Sequence, residues 1–152
     1  MSVDSDHATL WQQACEHFAA QRHADAEACC RRLIVIAPER PLAWAMLARL
    51  SLLRGRPEEA SRLAIEAGTR SAGAPWQEAI AAGIVLLDMG EKAIARELFS
   101  LVDPRDVTSH ATLHELARCH DALGDAAGAR HCLDLAQSLP HRSTTPRMPT
   151  HA

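Results

Sequence analysis

Small and apolar residues recur at helical spacing in four successive segments of the chain. In the latter part of each segment an Ala is followed four positions later by a second residue of the same apolar face. These pairs are Ala26 with Cys30, Ala60 with Ala64, Ala95 with Phe99, and Ala129 with Leu133. Residues four apart lie on one side of an α-helix. The pattern therefore predicts an amphipathic helix that buries one face in each segment.

A short turn element precedes each of these helices. Three copies, LRGRPEEA, DMGEKAIA and ALGDAAGA, have glycine at the third position, and a weaker copy, AAQRHADA, has Gln21 there. Glycine lacks a Cβ atom, so Gly55, Gly90 and Gly124 can adopt the left-handed conformation that ends a helix. The Ala residues that close the four elements are 34, 35 and 34 residues apart. The sequence thus predicts one structural unit repeated four times.

A period of about 34 residues is that of the tetratricopeptide repeat (TPR), and the chain resembles this family over residues 7–141. In TPR units the eighth residue of the first helix is small, because two helix backbones approach closely at that position. Here it is small in every unit: Ala14, Ala48, Gly83 and Ala117.

The resemblance implies an all-α fold, an α-solenoid of about four helix-turn-helix hairpins with about eight helices. The expected repeats cover about 7–40, 41–75, 76–109 and 110–141. No clear capping helix follows the last hairpin, and segments 1–6 and 142–152 are expected to be disordered.

Composition narrows the functional classes. The chain has 152 residues, 47% of them apolar, and a formal net charge of −3. Its Lys and Arg residues are scattered, so neither nucleic acid nor an anionic membrane is an expected partner. The longest nearly apolar run, AIAAGIVLL, is too short to span a bilayer, and MSVDSDHATL has neither the basic nor the apolar region of a signal peptide. We therefore expect no membrane insertion and a cytoplasmic location.

The cysteines and histidines offer no recognisable cofactor or metal signature. The five cysteines are an odd number without the layout of a small disulfide scaffold, which suits a reducing compartment. We expect the chain to lack the CxxC and HxxxH-type spacings from which zinc sites typically draw their ligands. His120 and Cys132 would approach across the last hairpin, and a core histidine beside a core thiol is the favoured interpretation. GxSxG, P-loop and HExxH motifs are also absent, so we expect no cofactor, no metal and no enzymatic activity.

TPR proteins usually bind ligands in the concave groove lined by the first helix of each hairpin. The resemblance assigns these groove positions to Trp11, Cys15, Phe18, Arg49, Leu52, Leu53, Ile80, Ile84, Leu87, Asp88, His114, Arg118 and Asp121. Such a mostly aliphatic surface suits an extended or helical apolar peptide of a protein partner. The alternative, equally consistent for any single Leu or Ile, is that it packs against the adjacent hairpin.

Two groove cations differ in their neighbours along the helix. Arg118 has Glu115 and Asp121 three residues away on either side, which favours an intrahelical pair. Arg49 has no acidic neighbour at helical spacing and is the better candidate for binding an acidic group. The TPR clamp that binds a C-terminal carboxylate is not expected, because its matching places hold no Lys or Asn. They are Trp11, Cys15, Met46, Gln77 and Ala81.

The run LFSLVDPRDVTSHATLHELARCHDALGDAAGARHCLDLAQSL is similar to the C-terminal part of small TPR chaperones of bacterial type III secretion. This resemblance implies a cytosolic chaperone or adaptor that holds an apolar segment of a secretion substrate or export component in its groove. The alternative is a self-associating TPR scaffold or a regulatory adaptor in another bacterial pathway. In that case a homodimer would form through the last hairpin, around Leu133.

Overall fold

The computed structural model describes residues 3–140 of the chain and their side chains from residue 6 onward. Within these residues the fold is all-α, as predicted, without strands. The helices are α1 (Val3–Ala19), α2 (His23–Ile36), α3 (Pro41–Leu53), α4 (Pro57–Arg70), α5 (Trp76–Asp88), α6 (Lys92–Ser100), α7 (His110–Ala122) and α8 (Ala126–Ser138). Segment 1–6 was predicted to be disordered, but its described residues 3–6 belong to α1. The tail 142–152, also predicted to be disordered, lies outside the described residues.

The chain divides into two compact units, the first ending at Asp106 and the second beginning at Val107. In the first unit, consecutive helices pack as the pairs α1 with α2, α3 with α4, and α5 with α6. Helix α3 also packs against α2 and α5, so it lies at the centre of this unit. The second unit consists of the pair α7 with α8.

A residue with a positive φ angle lies in the turn of each helix pair. Gly55, Gly90 and Gly124 have φ values of 76°, 89° and 80°, which confirms the left-handed turns predicted for them. Gln21 occupies the matching position in the first pair with a φ of 63°. The first turn therefore keeps the backbone conformation of the other three although its glycine is missing.

The hydrogen bonds of these turns are also repeated. The residue after the positive-φ position donates its backbone N–H to a carbonyl five residues earlier, over 2.8 or 2.9 Å. The four bonds run from Arg22 to His17, from Arg56 to Ser51, from Glu91 to Leu86, and from Asp125 to His120. This is the Schellman arrangement, which satisfies a carbonyl left open where a helix ends.

The small residues predicted at helix contacts are buried in all four pairs. Ala26, Ala60, Ala95 and Ala129 are almost fully inaccessible to solvent, as are Ala14, Ala48 and Ala117 of the first helices. Gly83 takes the matching place in α5, and a Cβ atom built there would lie only 2.7 Å from Cε1 of Phe99 on α6. Glycine is required at this place because the Phe99 ring fills the space.

A salt-bridge network joins the first two helix pairs. Glu27 of α2 accepts a hydrogen bond from Arg31 over 2.9 Å and another from Arg54, which follows α3. Arg56 lies 3.8 Å from Glu27 and 3.0 Å from Glu59 of α4. Partial burial acts to raise the pKa of Glu27, but the hydrogen bonds and charges of Arg31 and Arg54 outweigh it and lower that pKa. The carboxylate is therefore held ionised between the two pairs.

Candidate functional site

Three of the predicted groove residues form a connected row across the first unit. The guanidinium carbon of Arg49 on α3 lies 4.8 Å from the centre of the Phe18 ring on α1. On its other side, Nη1 of Arg49 is 3.9 Å from Oδ2 of Asp88 on α5. The row shows that Phe18, Arg49 and Asp88 lie on one face formed by α1, α3 and α5, which we call the first-helix face.

Helical spacing explains which aliphatic residues accompany this row. Leu52 and Leu53 follow Arg49 by three and four positions, so they share its side of α3. On α5, Ile84 precedes Asp88 by four positions and shares its side, whereas Leu87, next to Asp88 in sequence, lies on an adjacent side of the helix. The aliphatic residues of the two helices thus lie near their C-terminal ends, close to the Arg49 and Asp88 pair.

The exposure of these residues separates binding candidates from core residues. Leu52 and Leu53 are 41% and 54% exposed, which is high for large aliphatic residues beside a packed core. Ile84 and Leu87 are half-buried. Ile80, by contrast, is buried and contributes to the core of the first unit, so the packing alternative holds for it.

The α1 part of the first-helix face is also partly engaged in packing. Trp11 and Phe18 are half-buried and pack against a core cluster that includes Ala14 of α1, Cys30 of α2 and Leu47 of α3. The rest of each aromatic side chain is accessible to solvent. These aromatic residues therefore combine a packing role with a limited accessible area.

Arg49 has an acidic neighbour on another helix. Along α3 it has none at helical spacing, as the sequence indicates, but Asp88 supplies one from α5. The 3.9 Å separation is an ion pair and is too long for a hydrogen bond. The Arg49 side chain forms no hydrogen bond with any residue in the described part of the chain, although its guanidinium has five N–H donors.

The thiols near this face are protonated at neutral pH. Cys15 is half-buried on α1, and burial followed by the charge of Glu16 raises its pKa. Burial, with smaller contributions from Cys29, Cys15 and Glu27, raises the pKa of Cys30 to about 12. A nucleophilic cysteine needs a lowered pKa, so both thiols behave as packing groups.

The second unit presents its predicted groove residues on α7. His114, Arg118 and Asp121 are all exposed. Arg118 donates to Glu115 over 3.2 Å, which confirms the intrahelical pair expected for it. His120 lies within 3.2 Å of Asp125, the residue that caps α8 by accepting a hydrogen bond from the backbone N–H of Gly128.

Sequence reasoning missed two features of the chain. His110 and His114 are four residues apart on α7, a spacing used by metal-binding pairs, yet no group of three or more His, Cys, Asp or Glu residues within 3–140 could hold a metal ion. Arg70 stacks 4.5 Å above the Trp44 ring and donates to the carbonyl of Pro38 over 2.5 Å. No spacing rule could have found this second contact, because it joins residues 32 positions apart.

Charged side chains line the cleft beside this Arg70 contact. It has a volume of about 310 Å³ and is lined by Glu39, Arg40, Arg70, Glu78 and the loop before α5. Arg40 donates to Glu78 across it over 2.9 Å. Its charged side chains therefore stabilise the junction of the second and third helix pairs.

None of the helices within residues 3–140 combines the length and the apolar character needed to cross a membrane.

Comparison with known proteins relates this chain to no other protein. No protein-family model matches the chain, and a search of curated proteins finds no similar sequence.

Proposed function

We propose that this protein is a TPR module that binds an apolar segment of a partner protein on the first-helix face. The observation that carries the proposal is the exposure of Leu52 and Leu53 directly beside the Arg49 row. Exposed aliphatic residues grouped on one face favour a protein-binding surface over a solvated one. The TPR resemblance assigns ligands to the same positions.

The repeat architecture of the proposal is a solenoid of four TPR hairpins. It is supported by four turns with the same backbone hydrogen bonds and by buried small residues at equivalent helix contacts. It is also supported by the positions Pro41, Trp76 and His110, where α3, α5 and α7 begin and where the sequence places the starts of repeats.

The specific form of the proposal follows the resemblance of the C-terminal half to type III secretion chaperones. In this form the protein is a cytoplasmic chaperone or adaptor, and its partner is a secretion substrate or export component. Covering the partner's apolar segment would keep that segment from pairing with other chains before export. No catalytic step is part of this function.

The first test compares two exposed aliphatic residues on different helices. Leu53→Glu places a charge on the first-helix face, whereas Ile65→Glu places one on α4, at a residue that is 59% exposed. We expect Leu53→Glu to weaken partner binding roughly 30-fold, the effect of losing about 2 kcal/mol at a central contact. Ile65→Glu should bind normally, and both variants should keep the wild-type far-UV circular dichroism and melting temperature. Equal loss of binding in the two variants would contradict the proposal.

The second test identifies the partner. Affinity purification from the native host, followed by mass spectrometry, should yield one small protein at near-equal stoichiometry. That protein should be insoluble when expressed alone and soluble when expressed with this chain. Recovery of a large assembly unconnected with secretion, or of a partner that is soluble by itself, would overturn the secretion-chaperone form of the proposal.

A second candidate function is self-association through the last helix pair. Cys30, at the place matching Leu133, belongs to one buried cluster with Met46 and Leu47 of the following helix α3. Leu133 of α8 remains 37% exposed. If α8 pairs with a second copy, light scattering should give a dimer mass that falls to the monomer mass in Leu133→Arg. A monomer at all concentrations would exclude this candidate.

A further inference from the structure

Arg49 is held in place by contacts that leave its guanidinium N–H donors without an acceptor among the described residues. Its guanidinium stacks on Phe18, and its side chain is only 34% exposed. Asp88 reaches it at 3.9 Å without forming a hydrogen bond, and the Asp88 side chain is itself 55% exposed. A half-buried guanidinium has lost part of its hydration, so unused N–H donors there favour a further acceptor.

The other arginines that connect helices in the first unit are different. Arg40 donates to Glu78 over 2.9 Å, and Arg54 donates to Glu27. Arg70 also stacks on an aromatic ring, but it donates to both Glu66 and the carbonyl of Pro38. Arg49 is therefore the aromatic-stacked arginine of the described first unit whose side chain donates no hydrogen bond.

We infer that Arg49 is the anchor for a carboxylate of the partner, an acidic side chain flanked by aliphatic residues. This inference rests on the proposed function and specifies the chemistry of the segment that is bound. Stacking on Phe18 fixes the plane of the guanidinium, and a planar guanidinium can donate two parallel hydrogen bonds to one carboxylate. The preformed geometry lowers the entropy lost when the carboxylate binds.

The neighbours of Arg49 define the rest of the segment. Leu52 and Leu53 lie about one helical turn further along α3, roughly 5 Å along the helix axis. A bound segment would therefore place an aliphatic side chain about that distance from its acidic group. Asp88 acts against this ligand, since its negative charge lies beside the position that the carboxylate would take.

The test begins with a random 12-residue peptide library displayed on phage and selected against the full chain. We expect the enriched peptides to combine Asp or Glu with neighbouring Leu, Ile, Val or Met, and to lose binding to Leu53→Glu. A fluorescent peptide from this pool is then compared with the same peptide carrying Asn or Gln in place of its acidic residue. Wild-type protein should bind the acidic form at least tenfold more tightly, as a charge-assisted bidentate contact would give.

Two substitutions on the protein should act in opposite directions. Arg49→Gln should abolish the preference for the acidic peptide, whereas Asp88→Asn should strengthen binding of that peptide, because the competing charge is gone. Arg62→Gln serves as the control, since Arg62 is an exposed residue of α4 and the first-helix face is formed by α1, α3 and α5. It should leave both affinities unchanged.

The outcomes separate this inference from the proposed function. Equal binding of acidic and neutral peptides, or weaker binding by Asp88→Asn, would overturn the carboxylate anchor and leave an apolar binding face. Failure to enrich any peptide that depends on Leu53 would overturn both. If Arg49→Gln proves unfolded by circular dichroism, the peptide comparison on wild type and the direction of the Asp88→Asn effect still decide the question.

Discussion

Gln21 holds a backbone conformation that residues with a Cβ atom rarely adopt. Its φ of 63° matches the left-handed region occupied by Gly55, Gly90 and Gly124 in the other three turns. For a residue other than glycine this region costs roughly 1–2 kcal/mol. The first turn persists because the Schellman hydrogen bond and the packing of α1 on α2 outweigh that cost.

Replacing Gln21 with glycine should therefore stabilise the protein. We expect Gln21→Gly to raise the free energy of unfolding by about 0.5–1 kcal/mol, since relief of strain is partly offset by the greater entropy of glycine in the unfolded chain. Urea titration measures the change. Gly55→Gln is the matched control and should lower stability by roughly 1–2 kcal/mol. A destabilised Gln21→Gly would show that the Gln21 side chain contributes contacts larger than the strain.

Gly83 and Phe99 should behave as a coupled pair. A Cβ atom at position 83 would meet Cε1 and Cζ of Phe99 at 2.7 and 2.8 Å, and the ring is fully buried. Gly83→Ala should thus cost about 1–3 kcal/mol by overpacking. In a Phe99→Leu background the same substitution should cost much less, and a double-mutant cycle from urea titrations measures the difference. Additive effects would mean that the ring can move aside.

Among the helices, the contact between the first two pairs depends on the ionised state of Glu27. Its pKa in the folded protein is lower than in the unfolded chain, because Arg31 and Arg54 outweigh the effect of burial. The stabilisation is therefore fully present above the unfolded pKa and is lost as the pH falls through the folded pKa. This direction is that of acid denaturation.

Glu27→Gln should remove this dependence on pH. At pH 7 the variant should be less stable by about 1–3 kcal/mol, the range for hydrogen bonds to charged groups, and the difference from wild type should shrink as the pH falls below about 4. Glu97→Gln on α6 is an exposed control that should leave the profile unchanged. Parallel profiles of wild type and Glu27→Gln would contradict the role of the network.

Local signals in the sequence mark several helix starts. No local signal marks the contacts between helices. The starts of α3 and α4 are marked by Pro41 and Pro57, whose fixed φ and missing N–H suit the first helical turn. The start of α1 at Val3 carries no such signal. The sequence also did not predict which groove residues are exposed. Ile80 and Ile84 lie four positions apart on α5, and only the packing around α5 buries Ile80. Arg49 and Asp88, 39 residues apart, follow no spacing rule.

The composition of the 152 residues makes the alkaline stability of the chain unusually simple to interpret. It has no Tyr and a single Lys, Lys92, so few side chains other than the five cysteines lose a proton between pH 9 and 12. Burial raises the pKa of Cys30 to about 12 in the folded protein. Because the folded pKa lies above the unfolded one, this stabilising effect is present below the unfolded pKa and is lost as the pH rises.

The free energy of unfolding should therefore decline above about pH 9. The contribution of Cys30 to the slope is about 1.4 kcal/mol per pH unit until its folded pKa is reached, and Cys30→Ala should show a flatter profile. Cys15 and Cys132, whose pKa values are also raised by burial, act in the same direction. Urea titrations between pH 7 and 11 provide the measurement, and an unchanged slope in Cys30→Ala would contradict the assignment.

The division of the chain into two units has a spectroscopic consequence. All three tryptophans, Trp11, Trp44 and Trp76, precede residue 106, one on each first helix of the first unit. Intrinsic fluorescence therefore monitors the first unit alone, whereas far-UV circular dichroism records the helices of both. The unmodified protein carries a built-in probe that can reveal whether α7 and α8 melt together with the other six helices or separately from them.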